Sequence, residues 1–201
     1  MFINTLLTHP THFLRVVLIV IISVTLHELA HGFTAVTQGD DTPKKSGHLT
    51  LNPIVHMGWE SIIFLCIAGI AWGKMPVNPS KFRSAKLGNI LVSAARNMSN
   101  LVSAILCLLL LKFIVYNYPN IFSFNFFYLA ARINLLLCLF NLLPIPPLDG
   151  FHVFSEIFPD LKQLEKSQYG YFALMMLFLI PHFGDGLGAI ADFVMSFVIF
   201  K

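Results

Sequence analysis

The chain has 201 residues, of which 56% are hydrophobic and only 11% are charged, with a formal net charge of +3. Ordinary soluble domains contain about 25% charged residues, so this composition argues against a water-soluble fold and indicates one membrane domain. The small positive charge, without a basic aromatic patch, argues against nucleic-acid binding. Three cysteines lie singly in apolar runs and are predicted to be buried thiols outside any disulfide framework: Cys66, Cys107 and Cys138.

The first apolar run, Phe13 to Ala35, has the roughly 20 residues that a helix needs to cross a bilayer. The first cation, Arg15, lies inside the run, and the run continues without a break into His27-Glu28. We therefore expect a retained membrane helix and not a removable signal peptide.

A polar stretch follows, from Gln38 to His56. Within it, Gly47 to Asn52 alternates in polarity and is closed by Pro53, which predicts one short membrane-associated β-strand, or half of a hairpin, after the first helix. The next apolar run, Ser61 to Trp72, has about 12 residues, a length typical of a re-entrant or interfacial segment.

Two longer runs, Leu87 to Val115 and Phe126 to Leu143, are predicted to span the membrane. Two final runs, Tyr169 to Ile180 and Leu187 to Phe200, are short for a crossing and predict a tilted pair or a hairpin. The sequence thus predicts an all-α polytopic membrane protein with about five or six hydrophobic segments. We expect a single domain over residues 1–201, with its core at 13–150 and a C-terminal helical pair at 169–200.

The first run carries His27-Glu28-Leu29-Ala30-His31, the pattern H-E-x-x-H. Side chains four residues apart share one face of a helix, so His27 and His31 can bind one Zn²⁺ ion at about 2.0–2.1 Å. Glu28 is offset by one residue and can reach a metal-bound water, which suits a general base. An ionisable group at membrane depth costs at least about 2.5–3.5 kcal/mol, which a shared metal would offset. The alternative is a polar helix end that binds nothing.

A catalytic zinc site needs a third protein ligand and one open position. The best candidate is Asp149, which follows the proline-broken stretch 141–148 and precedes Gly150. Irregular backbone is tolerated at membrane depth only where protein or a water-filled cavity covers it. The alternative is a solvated aspartate in a loop that leaves the membrane. A set of two histidines and one aspartate favours zinc among divalent ions.

Together these motifs resemble the site-2 protease family of intramembrane zinc metalloproteases, in its small bacterial form. Asn141 to Gly150 is similar to the family signature N-L-x-P-I-P-P-L-D-G. Gly47 to His56 resembles its G-x-L-T-L-N-P-x-x-H stretch, and Lys74 to Pro79 its K-x-P-V-N-P. The sequence departs from the family at two places, since Arg96-Asn97 stands where the family often has Gly-Pro, and Gly58 where an acid is usual.

The resemblance implies a zinc-dependent metalloendopeptidase with one Zn²⁺ ion bound by His27, His31 and Asp149 and with Glu28 as the catalytic base. It makes Asn141 a candidate for polar support of the bound peptide. The implied reaction is hydrolysis of peptide bonds within or near transmembrane segments of membrane proteins, as in regulated intramembrane proteolysis. Such substrates and the lipid bilayer are the expected partners. An inactive membrane scaffold and a metal-ion transporter are the alternatives.

The topology can be tested without the family. One metal requires an even number of crossings between His27 and Asp149, so Ser61 to Trp72 must not cross. By resemblance, the membrane is the bacterial inner membrane. The positive-inside rule places the loop cations together in the cytoplasm, which puts the site nearer that side of the membrane. These cations are Lys44, Lys45, Lys74, Lys81, Arg83, Lys86, Lys162 and Lys166. The sequence assigns no partner to Arg96 or Arg132, which fall within spans.

Overall fold

The computed structural model describes residues 1–115, 117–118, 123–165 and 169–199. Parts of two sequence-based predictions lie outside these residues: the cytoplasmic placement of Lys166 and the end of the last run at Phe200. All regular structure in the described residues is helical.

The α-helices follow one another along the chain, with short 3₁₀ turns at Pro79–Lys81 and Pro159–Leu161 and a π-helical turn, Leu111–Val115, that continues α5. They are α1 (Asn4–Thr8), α2 (Pro10–Thr37), α3 (Thr42–Lys45), α4 (Pro53–Ala68), α5 (Ala85–Leu110), α6 (Phe124–Asn141), α7 (Asp149–Ile157), α8 (Lys162–Glu165), α9 (Tyr169–Leu179) and α10 (Phe183–Ile199).

Three helical stretches are long and apolar enough to cross a membrane: Pro10–Thr37, Ala85–Phe113 and Phe124–Asn141. They coincide with the three long runs of the sequence. The remaining apolar helices of the described chain, α4, α9 and α10, have 16, 11 and 17 residues and are shorter than a full crossing requires. The structure therefore supports an all-helical membrane protein with three candidate spans, and it does not confirm five or six membrane segments.

The predicted β-strand at Gly47–Asn52 is wrong, because this segment is a series of turns and bends between α3 and α4. A strand needs a partner strand for its backbone groups. Here several of these groups have local partners instead, since the His48 N–H donates to Pro43 O at 3.0 Å and the Asn52 N–H to the Thr50 hydroxyl at 3.2 Å. The Nε2 atom of His56 lies 2.6 Å from the carbonyl oxygen of Thr50, and the Asn52 side chain caps α4 by accepting the Ile54 N–H at 3.0 Å.

Helix α4 turns the chain back toward its own start. It is interrupted at Gly58 (φ 69°) and ends before Gly69 (φ 78°), both in the left-handed region that favours glycine. The backbone conformation at position 58 thus gives a physical reason why glycine stands there instead of the acidic residue that is usual in the family. Trp72, which follows α4, packs back on the helix. The Ser61 hydroxyl donates to Trp72 O at 2.7 Å and accepts from Trp72 N at 2.9 Å. This return is what a re-entrant segment requires.

Helix α5 lies at the centre of the bundle and packs against α2, α6 and α7, while α10 packs against α6. Small residues let α5, α6 and α10 approach closely in a core of Ala104, Leu108, Ala131, Leu135, Ala191 and Met195. Arg132 of α6 finds its partner in α10, donating to both carboxylate oxygens of Asp192 at 2.7 and 3.0 Å.

The loop between α4 and α5 is fastened to the end of α2 by Asp40, whose side chain is fully buried. Its two carboxylate oxygens accept the Thr42 N–H at 2.9 Å and the Asn78 N–H at 2.6 Å, and Lys81 Nζ lies 3.9 Å away. Burial alone would raise the pKa of Asp40, but the hydrogen bonds from Thr42 and Asn78 outweigh burial and hold the pKa below its ordinary value of 3.8.

We expect Asp40→Asn to lower the free energy of unfolding by about 2 kcal/mol at neutral pH, because an amide cannot replace both charged acceptors. Since the folded pKa is depressed, this stabilisation is present above 3.8 and is lost as the pH falls through the folded value. Denaturation in detergent at decreasing pH should therefore show the free energy of unfolding of the wild type approaching that of the variant. The control, Asp41→Asn, removes only exposed ion pairs to Lys45 and Lys81 and should lower the free energy of unfolding by clearly less than Asp40→Asn does. Equal losses in the two variants would contradict the role given to Asp40.

Candidate metal centre

The second half of α2 carries His27, Glu28 and His31, and all three side chains are buried in the bundle. Glu28 is only 2% exposed. Because α2 continues without interruption through this stretch, the helical spacing keeps the two imidazoles one turn apart, as the sequence predicts.

Asp149 is the first residue of α7 and is 3% exposed. The chain reaches it by folding tightly over the end of α6, where Gly150 is essential. A Cβ atom at Gly150 would lie 2.3 Å from the backbone oxygen of Leu142, so any larger residue would push α7 away. This close approach carries the Asp149 carboxylate to α2, where its Oδ2 atom lies 3.3 Å from His27 Nε2.

The separation of these two atoms is that expected of a pair of metal ligands. Two ligands at about 2.0–2.1 Å from a tetrahedral ion lie about 3.3–3.4 Å apart. Asp149 Oδ2 is buried with the His27 ring nitrogen as its neighbour, and Glu28 Oε2 is buried without a hydrogen-bond partner among the described residues. Buried carboxylate oxygens without partners are costly, and a bound cation with its water would satisfy both.

Two groups of α5 contact the Nδ1 atoms of the two imidazoles and so orient the rings. His31 Nδ1 lies 3.2 Å from Val92 O, to which it can donate, and this leaves the Nε2 lone pair of His31 free for a metal. His27 Nδ1 lies 3.1 Å from Asn100 Nδ2, and the Oδ1 atom of the same amide has no described partner. With the amide turned so that Oδ1 accepts from Nδ1–H, the Nε2 lone pair of His27 is free as well.

The three predicted ligands are not assembled as one set. No three His, Cys, Asp or Glu side chains in the described part of the chain are placed to hold a metal ion together. The structure brings His27 and Asp149 into contact and leaves His31 one turn further along α2. The donor atoms are of the right kind for zinc, but completing the site requires side-chain movement.

Arg96 of α5 is the residue of this site whose role the sequence analysis missed. Its Nη1 donates to Asp149 Oδ1 at 2.9 Å, and its Nη2 donates to Glu28 Oε1 at 2.7 Å. One guanidinium thus bridges the predicted base and the predicted ligand. The available signal was the charge itself, since an arginine within a membrane span needs an acidic partner or a polar cavity.

Two further features border the site. The segment after α4 passes directly over the predicted base, because a Cβ atom at Gly73 would lie 2.5 Å from Glu28 Oε1. On the side of α5 and α7, a cavity of about 440 Å³ is lined by His31, Arg96 and Glu156, among others. Glu156 in turn contacts Lys162 Nζ at 2.7 Å. Polar side chains therefore connect the site to the basic loops.

Asn141, the predicted support for a bound peptide, is the last residue of α6 and is half-buried. Its amide Nδ2 donates to Leu137 O at 2.9 Å within the same helix. This contact ties Nδ2 to α6, and Asn141 directly precedes the segment that leads to Asp149.

An apolar helical bundle with H-E-x-x-H on one spanning helix and an L-D-G aspartate beside it is the arrangement of a membrane metallopeptidase. Residues 77–181 match the family described as Peptidase family M50. The chain belongs to this family, which confirms the resemblance to site-2 proteases noted in the sequence.

Curated relatives extend the likeness over most of the chain. The protein named "Putative zinc metalloprotease YwhC" of Bacillus subtilis is 39% identical over 82% of this chain and 80% of its own length. The protein named "Putative zinc metalloprotease Rip2" of Mycolicibacterium smegmatis is 28% identical over 86% of this chain and 71% of its own length. No solved structure matches the chain significantly. The relatives' names and the family are consistent with a zinc cofactor.

We expect Asn100→Leu to weaken zinc binding by about 10- to 100-fold, because the partner that orients the His27 ring is lost. Competition with a zinc-binding dye in detergent would measure this affinity. Asn134→Leu is the matched control, since Asn134 is also a buried amide but donates to Ala130 O within its own helix. An equal loss of affinity in both variants would show that the effect is general destabilisation.

Proposed function

We propose that the protein is a zinc-dependent endopeptidase that hydrolyses peptide bonds within or near transmembrane segments of other membrane proteins, as in regulated intramembrane proteolysis. The observation that carries this proposal is the 3.3 Å approach of Asp149 Oδ2 to His27 Nε2 inside an apolar helical bundle. Membership of Peptidase family M50 supports the peptidase chemistry. The depth of the site on a candidate spanning helix supports a substrate that also lies in the membrane.

In this proposal His27, His31 and Asp149 would hold the zinc ion. When bound, zinc lowers the pKa of a coordinated water toward about 7 and polarises a carbonyl group. Glu28 contributes its free Oε2 atom, which takes a proton from water and later returns it to the leaving amine. In the structure the other oxygen, Oε1, accepts a hydrogen bond from Arg96 Nη2 at 2.7 Å.

A helical substrate hides its peptide bonds, so it must unwind before it is cut. Residues 47–52 form no strand, so they offer no strand edge to which an unwound peptide could add. The irregular segment at Gly73 lies against Glu28 and is better placed to guide an unwound peptide. In this arrangement Asn141 Oδ1 could accept a hydrogen bond from the peptide.

The proposed orientation puts the site of this single domain nearer the cytoplasmic side of the bacterial inner membrane. Its support is the distribution of Lys and Arg in the loops around α3, before α5 and after α7. The cavity beside His31 reaches Lys162 in one of these loops and offers a path for water.

We expect Glu28→Gln to lower the rate of substrate cleavage by about 10²- to 10⁴-fold, the range for loss of a general base. The test co-expresses or co-reconstitutes the protein with single-span substrates and follows cleavage within the span. The variant should still bind zinc, whereas His27→Ala should lose both zinc and cleavage. Glu60→Gln, the same change at an exposed glutamate of α4, should behave as the wild type.

Full cleavage activity in Glu28→Gln would favour an inactive scaffold, with the observed proteolysis due to another enzyme. Zinc uptake into sealed vesicles that requires His27 and proceeds without cleavage would favour a transporter. Either outcome would overturn the proposed peptidase.

A further inference from the structure

Arg96 holds the two acids of the site by one hydrogen bond each. Nη1 contacts Asp149 Oδ1 and Nη2 contacts Glu28 Oε1. Of the second oxygens, Asp149 Oδ2 faces only the His27 ring at 3.3 Å, and Glu28 Oε2 has no hydrogen-bond partner among the described residues. The Arg96 Nε atom is also buried and has no described hydrogen-bond partner. The guanidinium is therefore an effective counter-ion for both acids, but it is not locked by the paired contacts that hold Arg132 to Asp192.

The same two carboxylates are those assigned to the metal and to its water. A divalent ion bound by Asp149 would stand next to the positive charge of Arg96. Like charges repel strongly where water is scarce, and this site lies within the apolar bundle. The guanidinium and the metal ion therefore compete for the same pair of negative charges.

The structure also provides room for the arginine to move. Arg96 lines the cavity of about 440 Å³ on the side of α5 and α7. Glu156 lies on the wall of that cavity, where Asn89 and Lys162 bind its carboxylate at 2.8 and 2.7 Å. A displaced guanidinium would thus enter a polar space that contains a carboxylate, and it would not enter lipid.

We propose that Arg96 is a built-in counter-ion that competes with the divalent metal ion for Glu28 and Asp149, and that metal binding moves its guanidinium into the adjoining cavity. This inference rests on the proposed metal site. It gives a physical reason why the three predicted ligands are not assembled while Arg96 bridges the acids. Arg96 is accordingly a residue that sets metal affinity, and it is distinct from the base and the ligands.

The test measures zinc affinity and thermal stability of the full chain in detergent after removal of metal with a chelator. We expect Arg96→Met to bind zinc at least tenfold more tightly than the wild type, because the competing cation is gone. Its melting temperature without metal should fall, since two buried carboxylates lose their partner. The rise in melting temperature on adding zinc should exceed that of the wild type. Arg96→Lys, which keeps one charge but cannot span both acids, should bind zinc with intermediate affinity.

Arg132→Met is the matched control, because it removes an arginine ion pair between α6 and α10 outside the site. It should lower the melting temperature and leave zinc affinity unchanged. Equal or weaker zinc binding by Arg96→Met would overturn the inference and would identify Arg96 as a support for the bound metal. Should Arg96→Met fail to fold, the ranking of Arg96→Lys against the wild type decides the question in the same way.

His27→Ala separates this inference from the proposed function. If His27→Ala abolishes zinc binding but Arg96→Met does not tighten it, the metal site stands and only the role of Arg96 is wrong. If His27→Ala binds zinc as the wild type does, the metal site and this inference both fail.

Discussion

The central constraint on this structure is that charged groups buried among apolar helices must compensate one another. Glu28 on α2, Arg96 on α5 and Asp149 on α7 meet in one cluster, so a single set of ion pairs joins three separate elements. Removing one partner from a buried pair typically costs about 3–5 kcal/mol, because the remaining charge is left unpaired. The reactive groups thus also hold the bundle together, and their positions are set by packing around α5.

Irregular segments place the reactive side chains next to one another, while the long helices carry them at membrane depth and bury them. The tight fold at Gly150 delivers Asp149 to α2, and the Asp40 carboxylate fastens the loop that follows α4. The positive φ angles at Gly58 and Gly69 shape α4 so that the chain returns over Glu28. These local features explain why a departure such as Gly58 is compatible with the family fold, since the backbone there favours glycine.

Much of the helical framework could be predicted, because crossing a bilayer demands a length and an apolar character that the sequence displays directly. The runs beginning at Phe13, Leu87 and Phe126 correspond to the three candidate spans. The prediction of a strand at Gly47–Asn52 was wrong because alternation of polarity shows only that a segment could pair with another strand. Whether a partner strand lies beside it depends on the fold, and His56 and Asn52 satisfy the local backbone instead.

The sequence alone determined that His27 and His31 share one helix face and that Asp149 is the acid most suited to join them, since helical spacing and motif are local properties. Tertiary structure decided which groups actually meet. It brought Asp149 to His27, placed Val92 and Asn100 behind the imidazoles, and inserted Arg96 between Glu28 and Asp149. These contacts join residues far apart in the chain, so they depend on how α2, α5 and α7 pack and on nothing that a linear pattern records.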